Sequence, residues 1–298
     1  MNKTLTHITV ILAMLFWGMS FIWSKIVFTT YDPVTTIFFR LIISVVVLFI
    51  FMSIAKIKMK IDKKDFKFFF LSAIFNPFLY FIGENFGLKE VSAFFTSIII
   101  STIPVITPFF VFIFYKEKIT KLNILGLVIS FIGVLTIIFS DGITKSGSIL
   151  GFLMLFMAVF SAIFYTIYVK RLSFKYNPVT IIAWQNLIGI FLFLPVFAVY
   201  SAQTAFKIQP STETIFSLMM LGIFASSAAF IFYTYGIRKL GIIKTNFYTN
   251  LIPVFSFLFA YLLLDELITW LKFTGLFLVI TGVMFSETVK GKELNINT

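Results

Sequence analysis

The sequence predicts an all-α integral membrane protein whose ten transmembrane helices form two inverted five-helix repeats. Three observations predict this fold: an apolar composition, apolar blocks of about twenty residues, and a second half that repeats the first. Of the 298 residues, 60% are hydrophobic and only 12% are charged. A typical soluble domain is about 45–50% apolar, so the chain is too apolar to fold as one.

The apolar blocks are long enough to cross the hydrocarbon core of a bilayer as helices, which takes about 20 residues each. Ten blocks fit, at residues 6–27, 34–54, 68–88, 92–114, 121–140, 149–169, 179–200, 214–237, 242–264 and 270–287. The first block is interpreted as a retained helix, because it is too long for a signal peptide and lacks a clear cleavage site. The connections are short and leave no room for a soluble catalytic or binding domain, so the function is expected within the membrane.

The basic residues indicate how the chain is oriented. The formal net charge is +12, but the lysines and arginines lie in short loops between the blocks, and such loops are enriched in basic residues on the cytoplasmic side. When alternate connections are counted, 18 of the 24 basic residues fall on one side. We therefore expect a multi-pass protein of the cytoplasmic membrane with both termini in the cytoplasm, and no nucleic-acid partner.

The second half of the chain repeats the first in a fixed register. The segment that begins at Ile103 matches the one that begins at Ile252 without a gap, an offset of 149 residues. Earlier, DPVTTIFFR from Asp32 pairs with NPVTIIAWQ from Asn177 at an offset of 145. A small insertion or deletion between the second and third helices accounts for the difference.

Five helices is an odd number, so the second copy must enter the membrane from the opposite side. One matched pair of loops agrees, because Lys116-Glu-Lys in the first copy corresponds to Asp265-Glu-Leu in the second. The basic charge is lost where the loop changes sides. We expect a first repeat over residues 1–144 and a second, inverted repeat over residues 145–298.

Several short motifs resemble the EamA-type ten-helix members of the drug/metabolite transporter superfamily. They are Trp17-Gly18 with Phe21, Pro33 with Arg40, and the pattern E-x-x-T-x5-G-x6-G, which occurs from Glu117 to Gly133 and from Glu266 to Gly282. The resemblance implies a secondary transporter with a central cavity lined mainly by helices one to four and six to nine. It implies that the fifth and tenth helices lie outside this cavity, and it does not imply a substrate.

A polar stripe on the ninth helix is a candidate binding surface, because polar groups inside membrane spans usually face a cavity or another helix. Asn246, Asn250 and Pro253 fall at i, i+4 and i+7. Their first-repeat equivalents are Ser97, Ser101 and Pro104. A mid-helix proline opens a kink and frees a carbonyl, which predicts a gating role for both prolines. The alternative for the serines and asparagines is helix packing.

Charged residues in the outer half of the membrane allow two interpretations. In the functional one, Arg40 or Lys25 binds an anionic group of the substrate, and Glu84 binds a cationic group or a coupling proton. In the structural one, Arg40 and Glu84 form an ion pair, or Lys25 and Glu84 extend outward to the interface. Tyr80 shares a helix face with Glu84.

The remaining candidate lining residues are polar or amphipathic side chains within the spans: Trp17, Ser20, Ser24, Tyr165, Trp184, Gln185 and Tyr233. An interfacial aromatic belt is the alternative for Trp184. Gln185 stands where the first repeat has Arg40, so the cavity is expected to be asymmetric. Glu117 and Glu266 are assigned to loop organisation and helix capping rather than to the binding site.

These observations favour a secondary transporter that moves a small metabolite by alternating access. A cavity of Trp, Tyr, Asn and Ser with few charges suits an amino acid or similar zwitterion, with export as the expected direction; export of lipophilic cationic drugs is the alternative. A membrane enzyme or a channel is less favoured, because we find no catalytic motif and no filter loop. With one His and no Cys, no metal site or cofactor is expected, a proton is a candidate coupling ion, and a monomer is expected to suffice.

Overall fold

The computed structural model describes residues 3–115, 121–140, 148–263 and 269–287. Within these ranges the chain forms helices and no β-strand, which confirms the all-α prediction. The first repeat comprises α1 (Lys3–Phe28), α2 (Pro33–Ile54), α3 (Lys63–Glu90), α4 (Ala93–Ile100 continued by Ile103–Tyr115) and α5 (Lys121–Ser140). The second comprises α6 (Ile149–Lys175), α7 (Pro178–Tyr200), α8 (Thr212–Leu240), α9 (Ile242–Phe247, Tyr248–Asn250 and Leu251–Leu263) and α10 (Trp270–Glu287).

Each helix matches one of the ten predicted blocks. Among the described residues, α1 to α3 and α6 to α8 include continuous apolar helices of 22 to 29 residues, long enough to cross a bilayer. The largest shift of a single helix end is at the end of α6, which continues to Lys175 beyond the predicted end at residue 169. Hydropathy ends a block where the basic residues begin, whereas the helix itself can continue outside the hydrocarbon.

The second helix of each repeat begins with the same capping arrangement. The Asp32 carboxylate accepts hydrogen bonds from the backbone N–H groups of Val34 and Thr35, at 2.8 and 3.1 Å. In the second repeat, Asn177 Oδ1 accepts from the N–H of Val179 at 3.0 Å. A proline follows each cap at the first helical position, where its missing N–H needs no partner.

The third helix of each repeat contains a π-helical segment near its middle, over Ile74–Leu79 in α3 and Leu221–Ala228 in α8. In α3 the cause is Pro77, because the residue before a proline is pushed out of the helical region. Asn76 accordingly has an extended backbone, with φ −147° and ψ 119°. Such segments leave carbonyls without a regular helical partner, so they create polar positions in the centre of the molecule.

The fourth helix of each repeat is interrupted. In α4, Ser101 and Thr102 form a turn between the two helical parts. In α9, a 3-10 turn at Tyr248–Asn250 precedes the part that begins at Leu251. Pro104 and Pro253 each lie in the first turn after the interruption, as the prediction of a mid-membrane kink required. The predicted i, i+4, i+7 stripe of α9 assumed a continuous helix, so its regular spacing is broken at this turn.

The glycines of the repeated motif bring α5 and α10 together. A Cβ atom on Gly133 would lie 2.8 Å from the carbonyl oxygen of Gly275, and one on Gly282 would lie 2.5 Å from that of Gly126. Because Gly126 and Gly133 correspond to Gly275 and Gly282 in the repeat register, the two contacts are equivalent and the helices run antiparallel. Small residues permit this close backbone approach in a membrane. Residues 117, 120 and 266 of the same motif lie outside the described ranges.

Two further glycines pack each third helix against the first helix of the other repeat. A Cβ on Gly87 of α3 would lie 2.6 Å from the Leu155 side chain of α6, and one on Gly236 of α8 would lie 2.6 Å from that of Val10 in α1. Val10 and Leu155 are 145 residues apart, and the two glycines are 149 apart, which are the offsets of the sequence repeat. The contacts between the repeats therefore occur in matched pairs.

Candidate substrate-binding site

A cavity of about 40 Å³ lies between the two repeats and has room for a few water molecules. Its lining comes from α1, α3, α4, α6, α8 and α9. Five predicted site residues line it: Trp17, Tyr80, Glu84, Tyr165 and Tyr233. An organic solute needs more space than this, so the lining must move apart to admit one.

Aromatic rings form one wall of the cavity. The Trp17 ring centre lies 4.9 Å from that of Phe230 and 5.1 Å from that of Tyr233. Tyr165 meets Phe230 at right angles, with 6.2 Å between ring centres. Rings held in contact in this way present apolar surface together with faces of partial negative charge.

Glu84 contributes a carboxylate to the lining and is only 7% exposed. The hydroxyl group of Tyr80 donates a hydrogen bond to its Oε1 at 2.9 Å. Its Oε2 lies 3.9 Å from Nη1 of Arg40 and accepts a longer bond from Asn85 Nδ2 at 3.4 Å. The carboxylate is thus held from several directions and still faces the cavity.

Arg40 lies beside the cavity, next to Glu84, and is not part of the lining. Its Nε donates to Ser226 Oγ of the other repeat at 2.8 Å, and its guanidinium carbon is 4.3 Å from the centre of the Phe81 ring. Its Nη1 makes no hydrogen bond in the described part of the chain. The arrangement seen is the ion pair that was one of the two interpretations of the sequence, and direct contact of Arg40 with substrate stays a prediction.

Two predicted amides lie behind the cavity tyrosines. Tyr233 donates from its hydroxyl group to Asn246 Oδ1. Tyr165 donates weakly to Gln185 Oε1 at 3.4 Å, and Gln185 Nε2 donates to Ser72 Oγ at 2.8 Å. Asn246 and Gln185 are buried, so in this structure they orient the tyrosines instead of lining the cavity themselves.

The predicted serines do not reach the cavity. Three of them donate to a carbonyl one turn earlier in their own helix: Ser20 to Trp17, Ser97 to Phe94 and Ser101 to Ile98. This local bond is the usual way for a buried hydroxyl group to satisfy its donor in an apolar helix. Ser24 is buried and also lies outside the lining.

Four other predicted residues also lie outside the lining. Trp184 donates to the carbonyl of Met59 in the loop after α2 at 2.7 Å, which matches the alternative of an interfacial position. Asn250 is buried beside the lining residue Thr249, and its amide nitrogen and oxygen have no hydrogen-bond partner among the described residues. Pro104 and Pro253 are buried next to the helix interruptions. Binding and gating roles for these residues stay predictions.

The sequence did not single out several polar residues at the centre. Asn76 and Thr166 line the cavity. Asn186 donates to Ser44 Oγ at 2.7 Å and to the carbonyl of Ser226 at 3.0 Å, in the π-helical segment of α8. The position of Asn76 before a proline was a usable signal. The π-helical segment of α8 contains no proline, so the sequence has no local signal for its carbonyls that lack a regular helical partner.

Charged residues also connect the two repeats outside the membrane-spanning region. Lys175, at the end of α6, contacts the carboxylates of Asp62 and Asp65 at the start of α3. Hydrogen bonding to Lys175 and its positive charge hold the pKa of Asp62 below its usual range. None of these three residues is among the described residues that line the cavity.

A helical fold of apolar spans with a polar and aromatic cavity between two packed repeats defines a multi-pass membrane protein with a candidate solute site. The EamA-like transporter family model matches residues 4–139 and 149–288, and the chain belongs to this family.

The chain is similar to curated proteins over most of its length. An uncharacterized transporter of Archaeoglobus fulgidus is 26% identical over 279 residues, which cover 93% of this chain and 96% of that protein. The uncharacterized transporter YdfC of Bacillus subtilis is 27% identical over 259 residues, covering 86% and 82%. A solved crystal structure with 13% identity superposes with a TM-score of 0.72, covering 96% of this chain and 99% of the other, and supports the fold alone.

Proposed function

We propose that this protein is a secondary transporter that exports a small amine-bearing solute, first of all an amino acid or similar zwitterion, by alternating access. The observation that carries the proposal is the Glu84 carboxylate, which faces a cavity walled by aromatic rings. Alternating access requires two halves that rock about a central site, and the cavity lies between the two repeats. The positive-inside distribution supports cytoplasmic termini.

The chemistry of the lining favours an ammonium group on the solute. The carboxylate of Glu84 supplies a charge-assisted acceptor, and the faces of Trp17, Tyr80 and Tyr233 attract a cation that has lost its water. The side-chain amide of Asn76 can donate to a carboxylate at the other end of a zwitterion. The hydroxyl groups of Tyr80, Tyr165 and Tyr233 already donate within the protein. No lysine or arginine is among the described lining residues, which argues against a polyanion.

A lipophilic organic cation is the second candidate, because the same carboxylate and rings bind a cation without any donor for an anionic group. The two candidates make different demands on the solute. A zwitterion loses recognition when its carboxylate is esterified, whereas a lipophilic cation has no such group.

The measurement is uptake of radiolabelled amino acids, their methyl esters and lipophilic cations into liposomes that contain the purified protein. We expect saturable uptake of a zwitterion, and at least a tenfold loss per folded molecule in Glu84→Gln, because a charge-assisted hydrogen bond contributes about 1.5–3 kcal/mol. Glu213→Gln, which changes an exposed carboxylate at the start of α8, is the matched control. Uptake that is equal in Glu84→Gln and Glu213→Gln would contradict the proposed site.

Proton coupling is tested with the same variants. If Glu84 carries the coupling proton, an imposed pH gradient accelerates uptake by the unaltered protein and has no effect on the residual uptake of Glu84→Gln. A Glu84→Gln variant that still responds to the gradient removes Glu84 from the coupling step.

A further inference from the structure

The charged group at the end of α6 joins the two repeats. We name Lys175, Asp62 and Asp65 the charged cluster. Lys175 Nζ lies 2.5 Å from a carboxylate oxygen of each aspartate. Tyr176 supports the cluster, because its hydroxyl group donates to Asp65 at 2.6 Å and accepts from the N–H of Asp62 at 3.1 Å. The lysine belongs to the second repeat and both aspartates belong to the first.

A second group joins the repeats between the end of α1 and the start of α8. We name Thr30, Thr214 and Ser211 the hydroxyl cluster. The Oγ1 atoms of the two threonines are 2.9 Å apart, and Ser211 Oγ lies 3.0 Å from Thr214 Oγ1. Here Thr30 belongs to the first repeat, and the other two residues belong to the second.

The repeat register makes these clusters equivalent. Thr30 corresponds to Lys175 at the offset of 145 that relates Asp32 to Asn177. Thr214 and Ser211 correspond to Asp65 and Asp62 at the offset of 149 that relates Gly236 to Gly87. Because the repeats are inverted, the same contact between the same helices is made once on each face of the membrane. It is ionic on one face and neutral on the other.

We infer that the clusters are the closing contacts of two gates, and that the charged cluster biases the transporter toward the state in which its cytoplasmic gate is closed. This inference rests on the proposed alternating access and on the cytoplasmic orientation of the basic loops. Two identical inverted repeats would give the inward-open and outward-open states the same energy. A bias between those states must therefore come from residues that differ between the repeats.

The charged cluster is the stronger contact. Hydrogen bonds between ionised groups are about twice as strong as those between neutral groups. The gain is limited by exposure, since the side chains of Lys175 and Asp62 are 44% and 47% exposed and are screened by solvent, whereas Asp65 is 17% exposed. A network of three charged groups still contributes more stabilisation than a single surface ion pair. The result is a moderate bias that substrate binding can overcome.

Two cysteine reporters test the inference, and the chain supplies no cysteine of its own. Ser72→Cys lies two turns inside the charged cluster on α3, and Leu221→Cys occupies the equivalent position on α8. Both native side chains are fully buried. The measurement is the labelling rate with a membrane-impermeant maleimide, applied from the cytoplasmic side for Ser72→Cys and from the outer side for Leu221→Cys, in vesicles of known orientation.

Lys175→Thr makes the charged cluster resemble the hydroxyl cluster. We expect it to raise labelling of Ser72→Cys about three- to tenfold and to lower labelling of Leu221→Cys, as a population shift requires. The exchanged pair Lys175→Asp with Asp65→Lys should return both rates to within about twofold of the starting values. Lys239→Thr, which removes an exposed lysine outside the cluster, should change neither rate.

Three results overturn the inference. Unchanged labelling in Lys175→Thr means that the charged cluster exerts no bias, and parallel increases at both reporters mean that it only stabilises the fold. In these two cases the proposed transport function stands, provided that solute changes the labelling rates of the two reporters in opposite directions when the clusters are intact. If solute never changes the two labelling rates in opposite directions, alternating access is contradicted as well, and with it the proposed function.

Discussion

Arg40 and Glu84 form a buried ion pair with 3.9 Å between Nη1 and Oε2, and their side chains are only 2% and 9% exposed. Arg40 also donates to Ser226 in the π-helical segment of α8. One guanidinium therefore connects the cavity carboxylate of the first repeat to the backbone irregularity of the second. Movement of either repeat relative to the other changes the surroundings of Glu84, which is what a coupled binding site requires.

Removing one partner of this pair is expected to destabilise the protein strongly. Arg40→Gln leaves the carboxylate of Glu84 without its buried counter-charge, and the loss of a single partner from a buried pair costs about 3–5 kcal/mol. Arg40→Gln combined with Glu84→Gln removes both charges and should recover most of that loss. The measurement is the free energy of unfolding in detergent. The control is Arg238→Gln, which changes an exposed arginine.

An Arg40→Gln variant as stable as Arg238→Gln would contradict a structural role for the pair. Arg40 would then be available for the alternative role, which is to bind an anionic group of the substrate.

Tyr80 is expected to set the affinity for the solute through Glu84. Its hydroxyl group donates to Glu84 Oε1 at 2.9 Å, and Tyr80→Phe removes this bond while it keeps the ring. We expect the half-saturating solute concentration for transport to change at least fivefold, in keeping with about 1.5–3 kcal/mol for a hydrogen bond to a charged group. Tyr261→Phe, on a residue that is 58% exposed, is the control. Equal kinetics in the two variants would separate Tyr80 from the binding site.

The reciprocal glycine contacts of α5 and α10 predict a packing defect when either glycine gains a side chain. Gly282→Val places a Cβ 2.5 Å from the backbone oxygen of Gly126, and backbone cannot rotate away. We expect about 1–3 kcal/mol of destabilisation, and Gly133→Val should behave alike because its contact is equivalent. The destabilisation is measured by thermal unfolding in detergent, with Thr281→Val as control. The packing account is wrong if only one of the glycine variants is affected.

Replacing Asn250 and Asn186 by alanine is expected to have different effects on the stability of the protein. The amide of Asn250 is buried without a described partner, so Asn250→Ala should leave stability unchanged or raise it, while transport falls if the amide faces the solute pathway. Asn186 donates one hydrogen bond to Ser44 of the first repeat and one to the carbonyl of Ser226 in its own repeat, so Asn186→Ala should lower stability. Measuring unfolding and transport in parallel separates the two roles. Full transport by Asn250→Ala would end its assignment to the pathway.

The fold followed from the sequence because each of its determinants is local or repeated. Ten apolar blocks define ten helices, and Pro104 and Pro253 mark the interrupted helices. The matched glycines were recognised only as part of the repeated motif, because the close packing of α5 against α10 depends on tertiary geometry. The end of α6 was placed too early, since hydropathy cannot detect a helix that leaves the hydrocarbon.

The site was harder to predict because burial alone does not distinguish a residue that lines a cavity from one that lies behind it. Tyr233 and Asn246 are both buried and polar, yet only the tyrosine lines the cavity, while the asparagine accepts a hydrogen bond from the tyrosine hydroxyl group. Ser97 and Ser101 donate their hydroxyl groups to backbone carbonyls of their own helix and do not line the cavity. The charged cluster was not predicted, because Lys175 was used only to assign orientation and Asp62 and Asp65 were not considered.

The central claim is that solute crosses by alternating access at a site between the two repeats, and solute counterflow tests it most directly. Liposomes containing the protein are preloaded with unlabelled solute and then given a trace of the labelled form. The account predicts a transient accumulation of label that saturates with internal solute and is reduced at least tenfold in Glu84→Gln, in line with the expected loss of a charge-assisted hydrogen bond. Label that enters without accumulating, at a rate independent of internal solute, would contradict the account.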